Sequence, residues 1–86
     1  MRTFASFDWH GPTGMAHTCA YPHRTPILTA RGGEVSLHLV PADEHSVTVE
    51  ELSFARQLAA AAAVYVTECE RFLVAASDDS TDRGAA

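Results

Sequence analysis

The chain has 86 residues, of which 47% are hydrophobic and 20% are charged, and its formal net charge is −5. A chain of this length forms one small domain, whose hydrophobic core is marginal unless a metal, a disulfide or a second subunit adds stability. The acidic charge disfavours a general binder of nucleic acid or of other polyanions.

The N-terminal residues carry no apolar run before Asp8 and Trp9, so we expect neither a secretory signal nor a membrane span. Cys19 and Cys69 are far apart and form no Cys-x-x-Cys pair. We therefore expect a cytoplasmic protein with two free thiols.

Residues 2–9 alternate in a way that predicts a first strand, with apolar side chains on both faces. A turn at residues 10–14, containing Pro12 and Gly14, would then return the chain through residues 15–21 as a hairpin. The expected pairs are Trp9 with Met15, Phe7 with His17, Ala5 with Cys19 and Thr3 with Tyr21.

A second hairpin follows the proline-containing connector at residues 22–26. Its strands are residues 27–31 and 34–40, and the sequence predicts a two-residue glycine turn at Gly32 and Gly33. The expected pairs are Arg31 with Glu34, Ala30 with Val35, Thr29 with Ser36 and Leu28 with Leu37. One face then holds Leu28, Ala30, Val35, Leu37 and Leu39, and the other holds Thr29, Ser36 and His38.

Residues 48–76 predict one long amphipathic helix. Thr48 and Glu51 have the spacing of a capping box, in which each side chain accepts a hydrogen bond from the other residue's backbone N–H. The segment 77–86 is small, polar and acidic, which predicts a disordered tail. The expected fold is α+β: residues 1–76 form one domain, an antiparallel sheet of three to four strands covered by the helix.

Two segments resemble small actinobacterial domains of unknown function. They are Leu39-Val40-Pro41-Ala42-Asp43-Glu44 and Glu51-Leu52-Ser53-Phe54-Ala55-Arg56-Gln57-Leu58-Ala59. The resemblance covers residues 27–63, and residues 1–26 depart from it. It implies a sheet-plus-helix fold similar to a double-stranded-RNA-binding domain, dimerisation in some members, and no catalytic residues.

Four side chains near the N-terminus are candidate metal ligands, namely His10, His17, Cys19 and His23. Zinc accepts nitrogen and sulfur ligands of this kind, although their spacing matches no standard zinc module. Solvated loop histidines are the simpler explanation, so we expect no cofactor. A small zinc-binding protein is one alternative function.

A second alternative is an RNA- or ribosome-associated module, in which arginines and aromatic side chains on the sheet would contact RNA. We expect no enzyme. Cys19, His17 and Asp8 could supply a nucleophile, a base and an acid, but side-by-side strand positions suit such a relay poorly.

The helix itself suggests the function. It would be about 40 Å long, against about 23 Å for a seven-residue strand, so part of its apolar stripe should lack cover from the sheet. We therefore expect a homodimer that acts through protein–protein interaction with a further protein partner, and no membrane association. The expected interface residues are Ala59, Ala62, Tyr65, Val66, Cys69, Phe72 and Leu73.

Overall fold

The computed structural model describes the backbone of residues 5–85 and the side chains of residues 5–76. The chain divides into two compact units, the sheet unit (residues 1–47) and the helix unit (residues 48–86). Among its described residues, the sheet unit contains three strands, β1 (Met15–Cys19), β2 (Ile27–Gly32) and β3 (Val35–Leu39). The helix unit contains α1 (Val49–Ala85). The predicted α+β class is confirmed.

The sheet is an antiparallel meander in the order β1-β2-β3, with β2 in the centre. Residues 5–9 form no strand, so the predicted pairing of Trp9, Phe7 and Ala5 with residues 15–19 is wrong. Thr3 lies outside the described residues. Instead, β1 pairs with β2, which brings His17 opposite Thr29 and Cys19 opposite Ile27. Because residues 2–9 are apolar on both faces, their alternation could not specify a partner, whereas β2 has one polar and one apolar face for β1 to match.

The second hairpin is confirmed, but its predicted register is wrong by two residues. The observed pairs are Gly32 with Val35, Arg31 with Ser36, Ala30 with Leu37, Thr29 with His38 and Leu28 with Leu39. The turn is therefore Gly33-Glu34, and Gly33 has the positive φ of 58° that a type II′ turn requires at its first central position. Since the shift is two residues, each side chain keeps its predicted face.

A close backbone crossing explains why Gly32 belongs to the strand rather than to the turn. A Cβ on Gly32 would collide with the carbonyl oxygen of Thr13, and a Cβ on Gly14 would collide with the carbonyl oxygen of Arg31. Gly14 also has a positive φ of 129°. The two glycines thus let the segment before β1 pass directly against the end of β2.

Two threonines are the buried side chains of the described region, Thr25 with 7% of its surface exposed and Thr29 with 6%. No apolar side chain in residues 5–76 is buried to that degree. Thr25 connects two loops: its N–H donates to the carbonyl of Glu44 over 2.8 Å, and its hydroxyl donates to the carbonyl of Asp43 over 3.0 Å. Hydrogen bonds therefore hold the connector at residues 22–26 against the turn that follows β3.

The capping box at the start of α1 is confirmed. The Thr48 N–H donates to Glu51 Oε1 over 2.9 Å, and the Glu51 N–H donates to Thr48 Oγ1 over 3.0 Å. The Leu52 N–H donates to the Thr48 carbonyl over 3.0 Å, which closes the first helical turn. Two of the N–H groups that a helix N-terminus leaves unpaired are satisfied in this way.

The helix extends to Ala85, so its predicted end at Ala76 is wrong. The backbone of residues 77–85, which their composition assigned to a disordered tail, is helical. No proline occurs in this segment and its first glycine is Gly84. The segment therefore contains no residue that breaks a helix before Gly84.

The first prediction separates the two registers of the hairpin. Gly32→Asn should destabilise the protein by about 1–3 kcal/mol, because its Cβ would displace the Thr13 backbone. Gly33→Asn is the matched control and should change stability by only a few tenths of a kcal/mol, because asparagine tolerates positive φ and nothing lies within 4 Å of that Cβ. Chemical denaturation measures both. Equal effects would contradict the observed register.

The second prediction concerns the capping box. Thr48→Ala combined with Glu51→Ala should lower the free energy of unfolding by about 1–2 kcal/mol, because two backbone N–H groups lose their acceptors. Thr48→Ser keeps the hydroxyl and serves as the control. A silent double variant in chemical denaturation would show that the cap contributes nothing to stability.

Candidate functional site

The residues predicted to form an interface all lie on α1, and all of them are exposed. The four large side chains of this stripe are each more than half exposed: Tyr65 at 60%, Val66 at 55%, Phe72 at 66% and Leu73 at 67%. Cys69 lies between them, and Ala59 and Ala62 precede them on the helix. The structure therefore presents a continuous apolar surface along the helix, here called the α1 stripe and defined by these seven residues.

Other apolar side chains on α1 are exposed outside the stripe. Val64 is 62% exposed, Phe54 is 57% exposed and Val74 is 58% exposed. At about 100° per residue, Val64 points almost opposite to Ala62 and Cys69. Val64 is thus an isolated surface residue, whereas the stripe residues adjoin one another at helical spacing.

Polar contacts fix two positions beside the stripe. Arg71 Nε donates to Glu68 Oε2 over 2.7 Å, and the Arg71 guanidinium lies 4.6 Å from the centre of the Phe72 ring. A guanidinium over an aromatic ring is attracted by the ring's negative face. These contacts restrict the Phe72 side chain while leaving two thirds of it accessible.

Within the stripe, a thiol and a phenol interact. A hydrogen bond to the Cys69 side chain raises the pKa of Tyr65 above its ordinary value of 10.0, and the charge of Cys69 acts in the same direction. These residues are four positions apart, the spacing at which helical side chains meet. Cys69 and Cys19 are both free cysteines. The sheet unit contains a similar pair, because Cys19 raises the pKa of Tyr21 in the same way.

The four candidate metal ligands lie in the sheet unit. His10 and His23 are exposed in bends, whereas His17 and Cys19 are half-buried on one face of β1. Across the described residues, no three His, Cys, Asp or Glu side chains form a group that could hold a metal ion. The structure thus places two of the four candidates side by side, and it shows no set of ligands around them.

His38 is the centre of a hydrogen-bond network that sequence reasoning missed. Its Nδ1 lies 3.1 Å from the hydroxyl of Thr29, and its Nε2 lies 3.0 Å from the hydroxyl of Ser36. On β1, the residue paired with Thr29 is His17. Its Nδ1 is buried and has no hydrogen-bond partner in the described region. The alternation of β3 did place His38 on this face. The predicted register put Ser36 rather than His38 opposite Thr29, so the network stayed hidden.

The chemistry of this network is that of a structural polar cluster. The Ser36–His38 contact has the length of a nucleophile–base pair, but the other ring nitrogen meets the Thr29 hydroxyl rather than a carboxylate that could stabilise an imidazolium. Ser36 and His38 are also exposed on the open surface of one strand. The cluster orders the polar face of the sheet across β2 and β3.

Comparisons with other proteins add no relatives. No protein-family model matches the chain, and no match is found among curated proteins or solved structures. The resemblance to actinobacterial sheet-plus-helix domains therefore stays a prediction. No helix in the described part of the chain is apolar enough, over the length of a bilayer span, to cross a membrane.

The third prediction tests the thiol–phenol contact. Cys69→Ala should lower the pKa of Tyr65 towards its ordinary value, because the group that disfavours the phenolate is removed. Since the folded-state pKa is raised, the contact contributes stability below a pH of about 10 and loses it as the pH rises through the raised value. An ultraviolet titration of the phenolates measures the change, with Tyr21 as the internal control. Unchanged titration of both tyrosines would contradict the contact.

Proposed function

We propose that this chain is a small, non-catalytic, self-associating protein that acts through protein–protein interaction in the cytoplasm, in a regulatory or accessory role. One observation carries the proposal: the α1 stripe offers large apolar side chains that are 55–67% exposed. Contiguous apolar surface of this kind marks interaction sites on soluble proteins. The two free cysteines suit a reducing compartment.

The free energy of burying the stripe side chains favours association. Fully burying one Val, Leu or Phe side chain contributes about 1.5–3 kcal/mol. The stripe has four large side chains with more than half of their surface still to bury, and the same four would be buried on each of two copies. Several kcal/mol are therefore available, which exceeds what most single surface contacts supply.

A second copy of the chain is the first partner to expect. Two-fold dimers are the commonest oligomers of soluble proteins, because one self-complementary surface serves both subunits. Association would also add stability to the sheet unit, because the side chains buried within the described region are two threonines and no apolar residue. The homodimer would then present its remaining surface to a further protein partner.

The fourth prediction is that the protein sediments as a dimer at micromolar concentration. Phe72→Glu combined with Leu73→Glu should convert it to a monomer that keeps its helical circular dichroism, because charges would replace two of the most exposed stripe residues. Val64→Glu is the control, since it changes a residue of similar exposure off the stripe and should leave the dimer intact.

A monomeric unmodified protein would contradict self-association. Stoichiometric zinc that His17→Ala abolishes would instead favour a zinc-binding protein. Affinity for RNA that falls steeply with salt would favour an RNA-associated module. Native mass spectrometry and salt-dependent binding measurements distinguish these outcomes.

A further inference from the structure

A row of small residues passes through the middle of the α1 stripe and continues along α1 beyond both of its ends. It contains Ala55, Ala62, Cys69 and Ala76, each seven positions from the next and each exposed. Seven residues are close to two helical turns, so these side chains lie nearly in line. Combined with apolar residues three and four positions away, a row with this period gives the spacing along which one helix packs against another.

Two rows of larger residues flank the small row. One contains Leu58, Tyr65 and Phe72. The other contains Leu52, Val66 and Leu73, with the smaller Ala59 between Leu52 and Val66. Together the three rows form a shallow channel with a floor of small residues and apolar sides. The floor would allow a second helix axis to approach to the short end of the usual 8–10 Å range, about 8 Å, while the flanking side chains close over the contact.

The charged residues of α1 favour an antiparallel direction for the second helix. Arg56 and Glu70 lie on the same side of α1, beyond the flank that contains Leu52 and Leu73, and both are exposed. Neither forms an ion pair within residues 5–76. They are fourteen residues apart, or about 21 Å along the helix. An antiparallel copy centred near Ala62 would bring Arg56 beside Glu70 of the second copy, and the reverse, making two ion pairs.

A parallel arrangement has no such match. It would leave Arg56 about 21 Å from Glu70 of the second copy. It would also place the acidic first turns of both helices, each with Glu50 and Glu51, next to each other and align their dipoles in the same direction. An antiparallel arrangement separates the like charges and opposes the dipoles.

We infer that the α1 stripe is covered by α1 of a second copy of this chain, running antiparallel, with the two-fold axis beside Ala62. In this arrangement Ala62 meets Ala62 of the second copy, Ala55 meets its Cys69, and Ala59 meets its Val66. Small residues therefore face small residues along the row that contains Ala55, Ala62 and Cys69. The inference rests on the proposed self-association and adds to it the occupant, the direction and the register.

Disulfide cross-linking in the full-length protein tests the direction and register. With Cys19→Ser as background, the chain keeps only Cys69, and an antiparallel pair would hold the two Cys69 Cα atoms about 21 Å apart along the axis. That exceeds the 4.4–6.8 Å span of a disulfide, so oxidation should give no covalent dimer. Moving the cysteine to the axis, with Cys69→Ser and Ala62→Cys, should give nearly complete cross-linking. Cys19→Ser with Ala55→Cys should also cross-link, through Cys69.

A charge exchange provides a second measurement. Arg56→Glu should raise the dimer dissociation constant roughly tenfold, because two ion pairs become repulsive contacts. Adding Glu70→Arg should restore the original constant. Neither variant alters the apolar rows, so sedimentation reports the pairing itself.

The outcomes separate this inference from the proposed function. Cross-linking at the axis position and at position 55 but not through Cys69 alone supports the antiparallel seam. A dimer that cross-links readily through Cys69 alone would be parallel and would overturn the inference while leaving self-association intact. A dimer that cross-links at none of these positions would place the interface elsewhere and would also overturn the inference. A monomer in sedimentation would overturn both.

Discussion

The exposure of the apolar stripe on α1 is the constraint from which the proposed self-association follows. In the described region the buried side chains are Thr25 and Thr29, and the large residues of the stripe remain more than half exposed. The alanines at positions 59–63 give the helix high intrinsic propensity, and the capping box fixes where it starts. Propensity and capping alone leave most helices in water only marginally stable, because packing of the apolar face supplies the larger share. The sequence of α1 is therefore suited to a helix that is completed by another surface.

In the part of the sheet unit that the structure describes, residues 5–47, order comes from backbone geometry and polar contacts, and no apolar side chain is buried. The crossing of Gly14 and Gly32 fixes the end of β2, and the hydrogen bonds of Thr25 join the connector to the turn after β3. On the polar face, Thr29 and Ser36 hold the His38 ring between them. Hydrogen bonds of this kind contribute about 0.5–1.5 kcal/mol each, and they specify geometry more strongly than they add stability.

The features predictable from the sequence are those encoded by residues close together in the chain. The capping box spans four residues, and the face to which each strand residue belongs follows from alternation, so both were predicted correctly. The predicted register of the second hairpin was wrong because Gly32 and Gly33 each suit a turn, and the contact that distinguishes them comes from the Thr13 carbonyl, nineteen positions away. The predicted partner of β1 was wrong for a similar reason, since the observed pairing with β2 crosses a seven-residue loop. Of the candidate sites, the helix stripe followed from periodicity, whereas the His38 network required the correct register.

A protein whose apolar surface is completed by a partner has a stability that is inseparable from association. If a second copy covers the stripe, the chain can unfold only when the dimer dissociates. The midpoint of unfolding therefore rises with protein concentration. The small row through Ala62 would make such a dimer sensitive to side-chain size, because one added methylene at the floor of the channel separates the two backbones along their length. The charges of Arg56 and Glu70 act differently, since exposed ion pairs add little affinity but disfavour the wrong direction of approach. Apolar area would thus supply the strength of the assembly, and the placement of a few charges would supply its specificity.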